Sequence, residues 1–204
     1  MIWFTADTHF GHGGILAHQR HRQFADTKEM DEHLFEQMNS VLRGGDELWH
    51  LGDFCWRASR AGHYRNRIRR GVQLHLVAGN HDANSLARHC SSYQQMVVRK
   101  FGGKKFHLCH YPLLTWCGSS NGSFHLHGHS HGNLRPPRGV AMTAEQLDRF
   151  AAFGDRAVGY AGRMLRDHYG RMDVGVDSAY HLLGQLRPFS LDEVFWWLGI
   201  EDDR

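Results

Sequence analysis

Ile2-Trp3-Phe4-Thr5-Ala6-Asp7-Thr8-His9 is a short apolar run that ends in an acid and an imidazole. Ile2–Ala6 reads as a buried strand, and a loop rich in Gly and His follows from Thr8 to Gly14. The same order recurs twice. Glu47–Leu51 reads as a second strand running into Gly52-Asp53, and Val72–Ala78 as a third ending at Gly79-Asn80-His81-Asp82. Helical patterns lie between them. Residues 28–43 put Met30, Leu34, Met38 and Val41 or Leu42 on one face, with Gly44-Gly45 as terminator. Residues 58–70 turn Ala61, Tyr64 and Ile68 inward, and a short helix is expected over 83–90.

The second half is richer in strands. Met96–Phe101 and Lys105–Cys109 read as a hairpin joined by Gly102-Gly103, Ser123–His127 as a further strand, and Arg171–Asp177 as another. Ser190-Leu191-Asp192-Glu193 is a capping-box signature opening a last helix through Leu198. Alternating strands and helices followed by hairpin strands predict an α/β sandwich of two mixed sheets flanked by helices. Residues 1–204 are expected to form one domain, with a helical insertion at 141–170 that reads either as a packed decoration or as a lid.

Composition narrows the class. The chain has 204 residues, 41% hydrophobic and 22% charged, which is ordinary for a folded domain. No apolar run approaches the roughly 20 residues of a membrane-spanning helix. Met1-Ile2-Trp3-Phe4 carries no basic segment typical of a secretory signal, so a cytoplasmic location is expected. Cys55, Cys90, Cys109 and Cys117 show no Cys-x-x-Cys spacing and read as reduced thiols. A net charge of +3 is too small to imply nucleic-acid binding by itself. Arg57, Arg60, Arg65, Arg67, Arg69 and Arg70 spread around their helix rather than forming one stripe, so they read as a solvated surface. Phe195-Trp196-Trp197 reads as core packing.

The 18 histidines are the unusual count. Asp7-x-His9, Gly52-Asp53, Asn80-His81-Asp82, His110 and Gly128-His129-Ser130-His131 each fall just past the C-terminal end of an expected strand, where the loops of an open α/β sheet converge. In extended backbone the spacing of two turns Asp7 with His9, and His129 with His131, to one side. Carboxylate, imidazole and amide without thiolate suit Mn²⁺, Fe or Zn²⁺. Seven candidate ligands are too many for one tetrahedral ion, whereas two ions about 3.5–4 Å apart and sharing a carboxylate account for them.

These blocks, in this order, resemble the calcineurin-like metallophosphoesterases. Asp173-Val174-Gly175-Val176-Asp177 resembles the stretch that closes the domain in that family. Asp7-Thr8-His9-Phe10-Gly11-His12, His50-Leu51-Gly52-Asp53-Phe54 and Cys109-His110-Tyr111-Pro112 resemble a small bacterial and phage subgroup of it. The resemblance implies that Asp7, His9 and His131 hold one divalent ion with Asp53. Asn80, His110 and His129 would hold the second, with Asp53 bridging and Mn²⁺ the first choice of metal. It implies a phosphohydrolase in which a metal-bridging hydroxide attacks phosphorus and His81 serves as general acid or phosphate contact. The substrate would be a phosphorylated small molecule or a phosphodiester. The alternatives are a metal-dependent nuclease and a non-catalytic scaffold. Asp82 is expected to orient the His81 loop and His127 to support the site. His12 and Arg22 flank the first loop, either as phosphate contacts or as solvated loop residues.

Overall fold

The computed structural model describes residues 1–134 and 170–200. Two mixed sheets face each other, and helices flank them in an α/β sandwich. In the first sheet β1 (Ile2–Thr5), β2 (Glu47–His50), β3 (Gln73–Val77) and β4 (Ser92–Gln94) run parallel, and β9 (Phe189–Ser190) pairs antiparallel with β1. The order is β4-β3-β2-β1-β9. In the second, β5 (Met96–Phe101) is antiparallel to β6 (Lys104–Cys109), and β7 (Ser123–His127) and β8 (Arg171–Asp173) follow β6 in parallel.

Both faces of the first sheet are covered, so its strands are apolar on both sides, as parallel strands under crossover helices must be. Period-two alternation sorts them. Phe4, Trp49 and Val77 face the second sheet, where they meet Phe101, Phe106, Leu108 and Leu126. Trp3, Leu48, Leu74 and Leu76 face the helices of the crossovers. Those helices are α1 (Gly13–His18), α2 (Thr27–Val41) and α3 (Ala61–Arg67), the last preceded by a 3-10 turn at Ala58–Arg60. Ala61, Tyr64 and Ile68 are buried, as their spacing predicts. Residues 83–90 form a 3-10 helix, Asn84–His89.

The register places the site. Thr5 stands opposite His50, and His50 opposite Leu76. The loops after β1, β2 and β3 therefore leave the sheet at one level. A parallel bridge from Ala6 to Gly175 ties that edge to the chain just beyond β8, so the two sheets meet where Asp7 begins.

Several expectations need correction. Arg171–Asp177 is not one strand. β8 ends at Asp173, whose Oδ1 accepts the Gly175 N–H and turns the chain, and α4 (Val176–Leu183) starts there. The alternating Val174 and Val176 look like a strand but are buried in different clusters. α2 stops at Val41 with Leu42 extended, ahead of Gly44-Gly45. α1, β4, β9 and α4 were not legible as elements: each is short, and tertiary burial outweighs weak propensity. The expected insertion at 141–170 lies outside the described residues except for Gly170.

Other local readings hold. Gly102 and Gly103 take φ of 52° and 77°, the left-handed pair that a two-residue hairpin requires. All four cysteines are free thiols, with Cys55 and Cys109 buried. Phe195 and Trp197 are buried, while Trp196 is exposed. Among the described residues no helix is long and apolar enough to cross a membrane. Four of the six arginines are engaged locally: Arg60 over the Tyr64 ring, Arg65 with the Val72 carbonyl, Arg67 with Glu32, and Arg69 with the Asn39 carbonyl.

α5 (Leu191–Leu198) opens with the expected capping box, Ser190 Oγ accepting the Glu193 N–H and Glu193 accepting the Ser190 N–H. Ser190→Ala is expected to lower stability by about 1 kcal/mol. A urea titration should show a lower midpoint at unchanged slope.

Candidate metal centre

All seven candidate ligands come together at the edge defined by that register. Asp53 is central: its Oδ2 lies 3.5 Å from His9 Nε2 and 3.5 Å from His110 Nε2. On one side, Asp7, His9 and His131 bring ligand atoms within 4.8 Å of one another, and the His9 and His131 rings stack at 5.3 Å. On the other, Asn80 Oδ1 is 3.1 Å from His110 Nε2 and 3.0 Å from His129 Nδ1. Asp7 also groups with Asp53 and His110 within 4.8 Å, so it reaches toward both halves.

The backbone is unusual at this site. Among the described residues, five non-glycine residues have positive φ: Asp7 (57°), His9 (49°), Asp53 (56°), His129 (67°) and His131 (48°). All five are candidate ligands. The left-handed region is unfavourable for residues bearing a Cβ and persists only where surrounding contacts impose it. It also corrects the extended-backbone argument for the Asp7/His9 and His129/His131 pairs. These pairs converge because every second residue is left-handed, not because the chain is a strand.

Several contacts impose the conformation. Asp7 N–H donates to the Gly52 carbonyl and His9 N–H to the Asp53 carbonyl, locking the first two loops together. Asp82 accepts the N–H groups of Asp53, Phe54 and Gly79, so it orients the loops through their backbone. Asp173 accepts from Ser130 Oγ at 2.6 Å and from Gly132 N–H at 3.0 Å, which fixes the His129–His131 loop. Gly79 is required by close approach: a Cβ there would lie 2.3 Å from Asp53 Oδ1.

Sequence reading missed the residue that anchors one half. Asp177, in the first turn of α4, is fully buried and accepts His131 Nδ1–H at 2.5 Å, His21 Nε2–H at 2.6 Å, and Arg22 Nε–H and Nη2–H at 2.8 and 2.7 Å. Arg22 also donates to the Asp7 carbonyl at 2.7 Å. Neither reading of Arg22, phosphate contact or solvated loop, holds, because its side chain is buried and directed into the fold. The only signal in the sequence was the acid of Asp173-Val174-Gly175-Val176-Asp177, without its partner.

The Asp177 bond takes the Nδ1 proton of His131 and leaves Nε2 as the lone-pair atom. His110 does likewise, Nδ1–H donating to the Leu51 carbonyl at 2.7 Å. Such outer contacts fix the tautomer in which the other nitrogen can ligate a cation. Both ring nitrogens of His9 are buried with no hydrogen-bond partner among the described residues. A buried polar atom without a partner is costly, and a cation between His9 and Asp53 would satisfy Nε2. The donor set therefore fits divalent cations. His127 Nδ1–H donates to the Gly128 carbonyl, and His125 Nδ1–H to the His107 carbonyl.

Protonation reflects the crowding. Burial pushes Asp7 up to about 7, with Asp173 and Asp53 adding to the shift and His131 opposing it. Burial pulls His9 down to about 2 against the attraction of Asp53. Burial opposes the charged form of His110, but the Asp53 hydrogen bond and the charges of Asp7 and Asp53 raise it to about 9. Asp53 is held below its usual range: burial alone would raise it, and His110, the His81 N–H and His9 outweigh that. Without a cation, protons on Asp7 and His110 offset part of the negative charge, so metal binding here must displace them.

His81 sits at the mouth. Its backbone N–H donates to Asp53 Oδ1 at 3.0 Å, and its exposed ring lies 5.4 Å from that of His9. His12 stacks on Trp56 beside it.

No family model matches the chain. It is 29% identical over 133 residues to an uncharacterized protein of Methanocaldococcus jannaschii, MJ1445, covering 65% of this chain and 70% of that one. It is 26% identical over an alignment of 174 residues to the Gene 66 protein of Mycobacterium phage L5, covering 65% and 78% respectively. The crystal structure of AQ665, a protein of unknown function from Aquifex aeolicus, superposes with a TM-score of 0.65 at 21% identity, over 95% of this chain and 97% of that chain. The likeness shows a shared fold.

Removing the Asp177 carboxylate would leave Arg22 buried without its counter-charge. Asp177→Ala is therefore expected to cost roughly 3–5 kcal/mol, measured by urea unfolding. The pH dependence has a definite sign. Burial alone would raise Asp177, but the Arg22 charge and the hydrogen bonds from His131, His21 and Arg22 hold it well below the usual carboxylate range. Its contribution is thus complete above the unfolded value of about 3.9 and lost as pH falls through the depressed folded value. Unfolding midpoints of chelator-treated protein should drop steeply below about pH 4, and less steeply in Asp177→Asn.

Proposed function

We propose that this chain is a dinuclear metal-dependent phosphohydrolase of the calcineurin-like metallophosphoesterase type, cleaving phosphodiester or phosphomonoester bonds. One observation carries the reading: Asp53 Oδ2 is equidistant from His9 and His110, with Asp7 and His131 beyond one and Asn80 and His129 beyond the other. A carboxylate between two imidazoles, each with further donors behind it, is what a shared ligand of two cations requires. Asp7, His9, His131 and Asp53 would hold one ion, and Asp53, Asn80, His110 and His129 the other. Mn²⁺ is our first assignment, with Fe or Zn²⁺ compatible with the same donors. Divalent cations held there would act as Lewis acids on phosphoryl oxygens and bring water to nucleophilic strength near neutral pH.

The chain's own groups do the rest. Asp177 and the Leu51 carbonyl keep His131 and His110 in the tautomer that presents Nε2 to the cluster. Asp82 and the Asp53 Oδ1 contact set the position of the His81 backbone, leaving its imidazole at the mouth to give a proton to the leaving ester oxygen. With Asp7 and Asp53 as the only carboxylates in the ligand set, the loaded site is net positive and favours an anionic phosphoryl group and its transition state.

The test is turnover of bis-p-nitrophenyl phosphate and p-nitrophenyl phosphate with and without Mn²⁺, followed by single-stranded DNA and RNA. Release of p-nitrophenol only with metal supports the hydrolase. No turnover of any substrate by metal-loaded protein would turn the assignment to a scaffold. Asp53→Ala is expected to lose both ions, and metal analysis still finding two per chain would contradict the shared ligand. His81→Ala should keep its metal and slow hydrolysis of poor leaving groups by roughly 10²–10⁴-fold.

A further inference from the structure

Trp56 is a large apolar side chain beside the cluster that the fold does not bury. Its neighbours Phe54 and Cys55 are in the core, yet Trp56 is 45% exposed. It is nevertheless held in place. Its N–H donates to the Phe10 carbonyl at 3.0 Å, next to the bridge joining Phe10 and Cys55, so the loops carrying His9 and Asp53 also carry Trp56. The His12 ring lies against the indole at 4.0 Å and 4° from parallel, which fixes its plane. The indole is 5.4 Å from the His81 ring, and His81 is 5.4 Å from His9.

We propose that Trp56, backed by His12, is the specificity-determining platform on which the base of a nucleotide substrate stacks while its phosphate sits at the Asp53 cluster. For the phosphate end this rests on the hydrolase reading above. A flat, pre-oriented aromatic face recognises planar rings, because every base offers a π-face. The surroundings disfavour an acyl chain. Among the described residues the rings beside the indole are the polar imidazoles of His12 and His81, and the next residue in the chain is the charged Arg57. A neighbouring cavity of about 650 Å³, lined by neither the indole nor the Asp53 cluster, brings cationic side chains close by. It opens at Gly11 and Arg57, the chain neighbours of His12 and Trp56. Its wall carries Lys28, Arg57 and Arg60 together with two acids, Glu32 paired with Arg67 and Asp31 accepting the Gly11 N–H. Tyr111 is equally exposed but meets His110 and His129 by ring edges, and among the described residues no aromatic ring is laid flat against it.

Two measurements test this on the 204-residue chain. In the first, Mn²⁺-loaded protein is given thymidine 5′-p-nitrophenyl phosphate and methyl p-nitrophenyl phosphate, which share a leaving group and differ in the nucleoside. Wild type should prefer the thymidine ester in kcat/KM. Trp56→Ala should lower that preference by roughly ten-fold, in the range expected for one base–aromatic stack, and Trp56→Phe should restore most of it. In the second, adenosine 5′-monophosphate, ribose 5-phosphate and O-phosphotyrosine are titrated by NMR without added metal. The adenine nucleotide should bind most tightly, and Trp56→Ala should remove that advantage. Thymidine-ester preference insensitive to Trp56, a loss that instead follows Tyr111→Ala, or phosphotyrosine binding as well as the nucleotide would overturn the platform. Hydrolysis of both esters with a Trp56-independent ratio would overturn the platform and leave the hydrolase standing. Trp56-dependent nucleotide binding without turnover of either ester would do the reverse.

Discussion

Five side chains can converge here only because their own backbone is held left-handed. Asp7, His9, Asp53, His129 and His131 all take positive φ, at a cost of order 1–3 kcal/mol each. An isolated loop would relax out of such a conformation. In this fold it is held by loop-to-loop backbone bonds and by three carboxylates outside the ligand set, Asp173 and Asp177 buried and Asp82 half-buried. Asp82 ties the β2 loop to the β3 loop, Asp173 fixes the loop after β7, and Asp177 with Arg22 anchors the β1 loop and His131. Each carboxylate accepts several donors, so each constrains more than one segment. Strain at the site is thus matched by hydrogen bonding just outside it.

The same arrangement sets the electrostatics. Burial and close packing of acids push Asp7 up to about 7, while His110 is raised to about 9 beside Asp53. Those two displacements have one origin, namely negative charge confined at low dielectric with few counter-charges in reach. Among the described residues Arg22 is a permanent cation buried beside the cluster, and its ion-pairing contacts go to Asp177. The cluster therefore presents concentrated donors, with Nδ1 of His131 and of His110 engaged elsewhere so that Nε2 is the atom turned to the cluster. Such a pattern is uncommon in groups whose role is only structural, and it supports the metal-dependent reading without depending on the uncharacterized relatives.

Position in the fold matters as much as chemistry. The β1, β2 and β3 loops leave one sheet at a common level, and the His129–His131 loop leaves the other. The Ala6–Gly175 bridge brings the two edges together. Convergence at the carboxyl ends of strands is the usual place for a ligand in open α/β sheets. Here two sheets contribute, which lets donors from the first 53 residues meet donors beyond residue 109.

Much of this was legible in the linear order of residues. The strand-then-acid pattern, the amphipathic face of α2, the Gly102-Gly103 hairpin and the Ser190/Glu193 capping box rest on periodicity or on contacts between near neighbours, and such signals survive in one dimension. The seven polar residues were picked out because they follow strands, and they do meet. What sequence could not supply was how they meet. The left-handed backbone at five of them, the start of α4 at Val176, and the burial of Arg22 against Asp177 depend on partners far along the chain; that last pair is 155 residues apart. A hydrogen bond across such a separation leaves no period and no spacing rule. Only the packing of the two sheets against each other decides which donor finds which acceptor.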